Sequence, residues 1–197
     1  MDAKVKMEWE RFLNPESLKR NIITAAIFSM AFEMLKSSIV DKLRSFYVNG
    51  FDSEGVQVDD DYKSEVLSLN KSPIYASLYW LLERSAIDSN DIELFESAKK
   101  CRNNLTHEML SYLSSGVDVD VEGEFQKMVK LLRKINIWWF VNFEMAIDPD
   151  AYPNDLDIDT VVSGSEWSIQ MMLDVALGSE DDAKQYYDHF TKATAAV

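Results

Sequence analysis

The chain has very little of the residue types that cross-link, break or turn a polypeptide, with one cysteine, four prolines and six glycines in 197 residues. A single cysteine cannot form an internal disulfide, which excludes a small disulfide-stapled scaffold and is typical of a reducing compartment. Scarce proline and glycine, beside plentiful leucine, methionine, alanine, glutamate and lysine, favour helices over a turn-rich β fold. We therefore expect an all-α fold.

Histidine is scarce as well, since only His107 and His189 occur. Two histidines and Cys101 are too few for a typical zinc site. The sequence has no glycine-rich phosphate loop and no nucleophile elbow. We expect neither a metal nor a cofactor, and we interpret His189, which lies among aromatic residues, as a packing residue.

No early segment has the pattern of a signal peptide or a membrane span. The start, "MDAKVKMEWE", is charged and lacks an apolar core. The most apolar early run, "IITAAIFSMAF" at 22–32, is shorter than the roughly twenty apolar residues that cross a bilayer, and it contains polar residues. We expect a cytoplasmic protein with no membrane partner.

Basic residues are outnumbered, with 20 Lys and Arg against 34 Asp and Glu and a net charge of −14. Such a balance disfavours nucleic-acid binding, because phosphates are bound by lysine and arginine. The acidity is concentrated, however: residues 148–197 hold eleven acidic residues and two lysines, a balance of −9, which leaves −5 for residues 1–147. We predict a helical bundle over 1–147 and an acidic helical appendage over 148–197, packed on or beside the same domain.

Two helices are predicted from the same start signal. Asn14-Pro15 and Ser72-Pro73 each place a capping residue before a proline that suits the first helical position. Apolar residues at three- and four-residue spacing then predict one long amphipathic helix that ends near Asn49. The second helix is expected to pass through the leucines at 78, 81 and 82.

The remaining elements are predicted from caps, breaks and apolar spacing. "DSND" at 88–91 is expected to cap a helix that runs to about Leu113, and Gly116 with "VDVDVEGE" indicates a break. The next helix ends in "IWWFVNFEM", which is apolar on every side and is therefore buried on all faces or packed against another subunit. The other expected segments are an acidic connection over 51–62, that next helix over 122–146, and weaker helices over 165–177 and 181–192.

The helix over 90–113 carries the most informative polar segment. At 100° per residue, His107 lies on the side of the helix opposite the apolar stripe. Asn103 lies about 40° around the helix from His107. Arg102 lies at the border of the stripe, about 140° from His107. His107 therefore faces solvent or a second molecule. The plain interpretation is an exposed polar face with an ion pair between Glu96 and Lys100.

The segment "RNNLTH", residues 102–107, resembles the R-N-x-x-x-H form of the Arg-x4–6-His motif of the HEPN superfamily. Members are helical bundles, commonly homodimers, and many are metal-independent RNases in toxin–antitoxin and phage-defence systems. The resemblance implies a HEPN-like helical bundle with Arg102, Asn103 and His107 as catalytic residues. It covers this helix specifically and the order of the long helices only loosely.

The sequence lacks a tyrosine that is characteristic of one branch of the family. Some members that pair with a nucleotidyltransferase antitoxin have a tyrosine two residues after the histidine, and that tyrosine is modified. Met109 stands at that position here, and the nearest tyrosine is Tyr112. Regulation by modification of that tyrosine is therefore not expected.

The residue types suit cleavage of RNA by its own 2′-hydroxyl. Histidine titrates near neutrality, so it can accept the hydroxyl proton or protonate the leaving oxygen. Arginine stays charged and has a planar fork that matches phosphate oxygens. Asn103 lies one turn before His107 and can orient the ring or a phosphate, and two protomers could supply both sets of side chains to one cleft.

Four lysines are candidates for binding the RNA backbone. Lys127, Lys130 and Lys134 fall on one stripe of the 122–146 helix, and Lys100 lies on the polar seam that includes His107. Such a stripe is more often a solvated face.

Two functions remain open. The first is a HEPN-type, metal-independent endoribonuclease of a toxin or phage-defence system, with RNA as substrate. The second is a catalytically inactive HEPN-fold dimer that acts as a protein-interaction module. Both imply a homodimer, and a cognate antitoxin or another protein is a further expected partner.

Overall fold

Helices account for most of the protein. The structure, a computed structural model, describes residues 2–53, 55–115, 120–153 and 155–194. Within these residues the only strands form one two-stranded antiparallel sheet. The expectation of a mostly helical fold is confirmed. The predicted break at Gly116 lies outside the described residues.

The elements follow in chain order. The helices are α1 (Ala3–Leu13), α2 (Pro15–Phe46), α3 (Pro73–Glu83), α4 (Ser89–His107), α5 (Met109–Ser114), α6 (Val121–Trp139), α7 (Met145–Ile147), α8 (Gly164–Leu177) and α9 (Glu180–Thr194). Strands β1 (Val48–Asp52) and β2 (Gly55–Val58) separate α2 from α3. Two segments are π-helical, Tyr62–Leu67 and Phe140–Glu144, and two are short 3-10 turns, Pro149–Ala151 and Ile158–Thr160.

Helix α2 is the central helix of the bundle. The Asn14 side chain caps it by accepting hydrogen bonds from the backbone N–H groups of Glu16 and Ser17. Its buried face packs against α3, α4, α6 and α8. The predicted long helix and its start are confirmed. The buried residues on this face are Ala25, Ile27, Phe28, Ala31, Phe32, Leu35, Ile39 and Leu43.

The same helix is long and apolar enough to cross a membrane by length and composition alone. The apolar run at 22–32 is too short to cross a bilayer, but α2 as a whole has 32 residues and contains an 18-residue window of mean hydropathy 1.4. In the described part of the chain it is the one helix that meets this criterion. A helix that lies in the core of a helical bundle meets it too, and 39% of that window is buried.

The acidic connection expected over 51–62 is wrong in part, because its first half is a β-hairpin. Val48 pairs with Val58 and Asp52 pairs with Gly55, whose φ of 116° is accessible to glycine at low cost. A π-helical turn follows and buries Tyr62 and Val66. Apolar residues alternate over too few positions here for periodicity to indicate strands.

The apolar end of α6 packs into an aromatic cluster. Trp139 is buried and stacks on Trp80, with ring centroids 6.0 Å apart and planes 12° from parallel. Phe143 lies 4.7 Å from the Trp139 ring, and its own ring is 4.8 Å from that of Phe46. The predicted helix over 122–146 is thus interrupted by the π-helical turn, which keeps these rings together. Exposed apolar residues remain beyond it, including Ile147.

Helices α8 and α9 confirm the two helices predicted near the C-terminal end. Helix α8 packs against α2 and α6 and buries Ile169. Arg133 of α6 binds the start of α8 and the residues just before it. It donates to the carbonyl oxygen of Val161 at 2.6 Å and to the Glu166 carboxylate at 3.0 Å. Helix α9 packs against α8 and has no buried residue.

Candidate functional site

Helix α4 carries the Arg–Asn–His segment and ends at its histidine. Asp88 caps the helix in a capping box with Asp91, as "DSND" predicts. The helix stops at His107, because Glu108 has φ −113° and ψ 29°, and α5 begins at the next residue. The expected continuation to Leu113 is therefore wrong. Apolar spacing runs on through the break, so periodicity cannot reveal it.

His107 is exposed on the side of α4 that faces away from the core. The buried side of the helix carries Ala98, Cys101 and Leu105, as the helical spacing predicts. Among the described residues His107 has neither a hydrogen bond nor an ion pair. Its imidazole is therefore free to meet a ligand or a second protomer.

Arg102 is held between α2 and α4. Its Nη2 donates to Glu33 Oε1 at 3.0 Å, and its Nη1 donates to Asn103 Oδ1 at 3.3 Å. The guanidinium carbon lies 5.8 Å from the centroid of the Phe32 ring. The side chain keeps 31% of its surface exposed, whereas its Nε is buried and has no hydrogen-bond partner in the described structure. Arg102 is thus anchored through both terminal nitrogens while its side chain remains partly exposed.

Glu33 is held by two cations. Lys36 Nζ donates to Glu33 Oε2 at 3.0 Å while Arg102 takes Oε1. The hydrogen bond from Lys36, followed by the charges of Lys36 and Arg102, holds the pKa of the Glu33 carboxyl below its ordinary value. The carboxylate therefore stays ionised at neutral pH. It draws Arg102 towards α2, and no described contact joins Arg102 to His107 within the protomer.

Two of the four candidate RNA-binding lysines are engaged by carboxylates. Lys127 Nζ donates to Glu124 Oε1 at 2.9 Å. Lys134 Nζ donates to Asp88 Oδ2 at 2.9 Å and also to Asp91, and these bonds raise the pKa of Lys134. Lys127 pairs with a carboxylate one turn away on α6, and Lys134 pairs with two carboxylates at the start of α4. The charges of both lysines are therefore already compensated.

The other two candidate lysines are less constrained. Lys100 and Lys130 are exposed, and neither has an ion pair with a described residue. Lys130 lies on the wall of a groove of about 550 Å³ between α6 and α8, whose floor includes Phe125 and Leu173. The stripe predicted to follow an RNA backbone therefore presents one free lysine on α6.

An apolar surface lies next to the end of α4. Leu110 of α5, three residues after His107, is 75% exposed. It borders a cleft of about 280 Å³ together with Trp9 and Phe12 of α1, whose rings are 6.0 Å apart. Trp9 is itself 53% exposed. Exposed apolar side chains that border one cleft make it a candidate for contact with another protein.

The sequence does not predict that Glu33, Phe32 and Lys36 lie beside the site. Phe32 lies on the buried apolar face of α2, and Glu33 is the next residue, at the edge of that face. Which helix packs beside α4 is set by tertiary contacts, and the local pattern does not encode it. No signal in the sequence alone could have paired Glu33 with Arg102.

Other reactive groups near α4 do not add a metal or a nucleophile. Cys101 is buried, and burial, followed by the charges of Glu124 and Asp120, raises the pKa of its thiol to about 11. The thiol is thus protonated at neutral pH and shielded. In the described ranges, no group of three or more His, Cys, Asp or Glu side chains could hold a metal ion.

The sequence matches no protein-family model, and no curated protein or solved structure is significantly similar to it. The chemistry of the site is therefore inferred from its own residues.

Proposed function

We propose that the protein is a metal-independent endoribonuclease of the HEPN type that acts in the cytoplasm as a toxin or phage-defence effector. One observation carries the proposal: α4 ends at an exposed His107, and five residues earlier it holds a partly exposed Arg102 bonded to Asn103. An imidazole, which can act as a general acid or base, and a fixed cation on one helix are the groups that RNA cleavage by internal attack requires.

The proposed reaction needs only the RNA and these side chains. The 2′-oxygen attacks the adjacent phosphorus as His107 takes the hydroxyl proton, and the bond from phosphorus to the 5′-oxygen breaks. The leaving oxygen takes a proton from a second histidine, so the products are a 2′,3′-cyclic phosphate and a 5′-hydroxyl. Arg102 stabilises the added negative charge on the phosphoryl oxygens. Asn103 orients Arg102 through its side-chain oxygen.

We propose that a homodimer completes the site. Arg102 is held towards α2 and lies about 140° around the helix from His107, so one protomer does not aim both at one phosphate. Two protomers related by a twofold axis would bring a histidine from each copy to a shared cleft. Trp9 and Leu110 are exposed and border one cleft, and Leu110 follows His107 by three residues, which supports a protein contact near the end of α4.

A second function is favoured by the charges around the site. Glu33 occupies Arg102, and carboxylates occupy Lys127 and Lys134, in a chain with a net charge of −14. These contacts support an interaction module that binds a basic partner protein and cuts no RNA. In that case the Arg–Asn–His segment would be a structural part of the helix surface.

Induced expression in a bacterial host separates the two functions. If the protein is a nuclease, the wild type arrests growth, and Arg102→Ala and His107→Ala both remove the arrest at equal soluble protein levels. The interpretation of His189 as a packing residue is wrong, because it is exposed on α9. His189→Ala is therefore the matched control and should arrest growth like the wild type. Identical growth with all four proteins would support the interaction module.

A further inference from the structure

The ion pair between Glu33 and Arg102 closes the edge of the guanidinium that a phosphate would bind. Arginine recognises carboxylates and phosphates with the same planar N–H edges. In the protomer, Glu33 Oε1 accepts from Nη2 at 3.0 Å, so the carboxylate occupies a position suited to a phosphoryl oxygen. Glu33 comes from another helix, 69 residues away in sequence, and is the one side chain outside α4 with a described hydrogen bond to Arg102.

The contact has the properties of an exchangeable pair. The Glu33 and Arg102 side chains keep 48% and 31% of their surface exposed. Ion pairs with this much solvent contact are weak. A polyanion that reaches Arg102 can therefore displace the carboxylate, and Lys36 remains to neutralise Glu33 when it does.

The buried Nε of Arg102 indicates that the observed position of the guanidinium is not its only favourable one. This N–H group has no acceptor in the described structure, although a buried donor without a partner is unfavourable. A guanidinium that leaves Glu33 could turn its Nε and Nη edge to a phosphate and satisfy both donors in a bidentate contact. Asn103 could follow it, because its oxygen already accepts from Nη1.

We infer that Glu33 is an internal competitor of the substrate: its carboxylate holds Arg102 until an RNA phosphate takes its place. This inference rests on the proposed function, since it names how the same site is regulated. It accounts for an arginine that is paired in the free protein and yet partly open. Glu33 thereby sets the affinity threshold for RNA without touching the reacting atoms.

Binding of a 2′-O-methyl RNA oligonucleotide, which lacks the attacking hydroxyl, tests the inference without cleavage. Fluorescence anisotropy across a salt series would compare the wild type, Glu33→Gln, Arg102→Gln and the double variant. Glu93→Gln is the matched control, because Glu93 is an exposed carboxylate on α4 with no ion pair to a described residue. It lies nine residues before Arg102 and so on the opposite side of the helix.

We expect Glu33→Gln to tighten binding by about two- to fivefold relative to Glu93→Gln at low salt. The salt dependence should steepen by about one phosphate contact. The gain should vanish in the Arg102→Gln background. No gain beyond that of Glu93→Gln would overturn the inference, and so would weaker binding, which would make Glu33 a support for Arg102. A gain that persists without Arg102 would assign the effect to the freed Lys36 and also overturn it.

The same variants, given unmodified RNA, separate this inference from the proposed nuclease. If Glu33→Gln binds more tightly through Arg102 but neither it nor the wild type cuts RNA, the competition holds and the nuclease proposal falls. If the wild type cuts RNA and Glu33→Gln shows no gain in binding, the nuclease proposal holds and the competition falls.

Discussion

At the scale of single residues, neighbours on α4 differ in chemistry because they face different surroundings. Cys101 and Arg102 are consecutive, yet the thiol is buried and the guanidinium is partly exposed. Burial disfavours the thiolate, whereas the guanidinium is paired with the Glu33 carboxylate. The face of the helix therefore decides which of two reactive side chains can meet a ligand.

The thiol of Cys101 should resist modification in the folded protein. With its pKa raised from 9.0 to about 11, only about one thiol in a thousand is ionised at pH 8, and burial blocks access. An aromatic disulfide reagent at pH 8 should therefore label the folded protein slowly and the guanidinium-unfolded protein at once. Because the folded state holds the thiol proton of Cys101 more tightly than the unfolded state, this group stabilises the fold. Its contribution to the free energy of unfolding is present below pH 9 and lost as pH rises towards 11.

Rapid labelling of the folded protein at pH 8 would contradict this account of Cys101. It would show that the α4 interface opens readily.

Prediction of the candidate site from sequence succeeds where helical geometry alone decides. The exposure of His107 and the border position of Arg102 follow from 100° per residue and the apolar stripe. The ion pair between Arg102 and Glu33 cannot be predicted in this way, because it depends on how α2 packs on α4. The same holds for Lys134, whose partners Asp88 and Asp91 precede it by more than forty residues.

At the scale of elements, start signals that look alike in sequence differ in the structure. Asn14 and Ser72 both precede a proline at the first helical position. Asn14 accepts two backbone hydrogen bonds, whereas within the described residues the Ser72 side chain makes no capping hydrogen bond. The two positions therefore form a matched pair for measuring what the cap contributes.

We expect Asn14→Ala to lower the free energy of unfolding by about 1 kcal/mol, the usual cost of losing a cap. Ser72→Ala should lower it by less than about 0.5 kcal/mol, because no capping hydrogen bond is lost. Urea unfolding monitored by circular dichroism would measure both. Equal losses for the two variants would contradict the assigned caps.

The helices were predictable because their caps and apolar spacing extend over many residues, as in α2 and α8. The hairpin of β1 and β2 was not, because its strands are only five and four residues long and lie in an acidic segment. The stop after His107 was missed for another reason: Leu105 and Tyr112 keep helical spacing across it, and both are buried. The π-helical turn at Phe140–Glu144 likewise lies inside a segment that is apolar on every side.

At the scale of the whole molecule, the proposed function depends on assembly. Trp9 and Leu110 are exposed and border one cleft with half-buried Phe12, Leu110 follows His107 by three residues, and Ile147 is exposed beyond the aromatic cluster. Contact between two copies through that cleft would bury apolar area and bring the two α4 ends together. Electrostatic repulsion between two chains of −14 charge opposes this contact, so it should weaken at low salt.

Light scattering should therefore return about twice the chain mass of 22.6 kDa at moderate salt. Leu110→Ser, which removes an exposed apolar side chain beside His107, should shift the protein towards the monomer. Val175→Ser is the control, because Val175 is also exposed but lies on α8. A monomer mass for the wild type at all working concentrations would contradict the dimer.

The proposed dimer cuts RNA with the Arg102, Asn103 and His107 side chains of its two α4 helices and without a metal ion. The most direct measurement is digestion of a defined single-stranded RNA in excess EDTA, with the product ends identified by mass spectrometry. We expect 2′,3′-cyclic phosphate ends from the wild type and from His189→Ala, and a loss of at least about a hundredfold in rate for His107→Ala and Arg102→Ala. Cleavage that stops in EDTA and returns with magnesium, or that survives both substitutions, would contradict it.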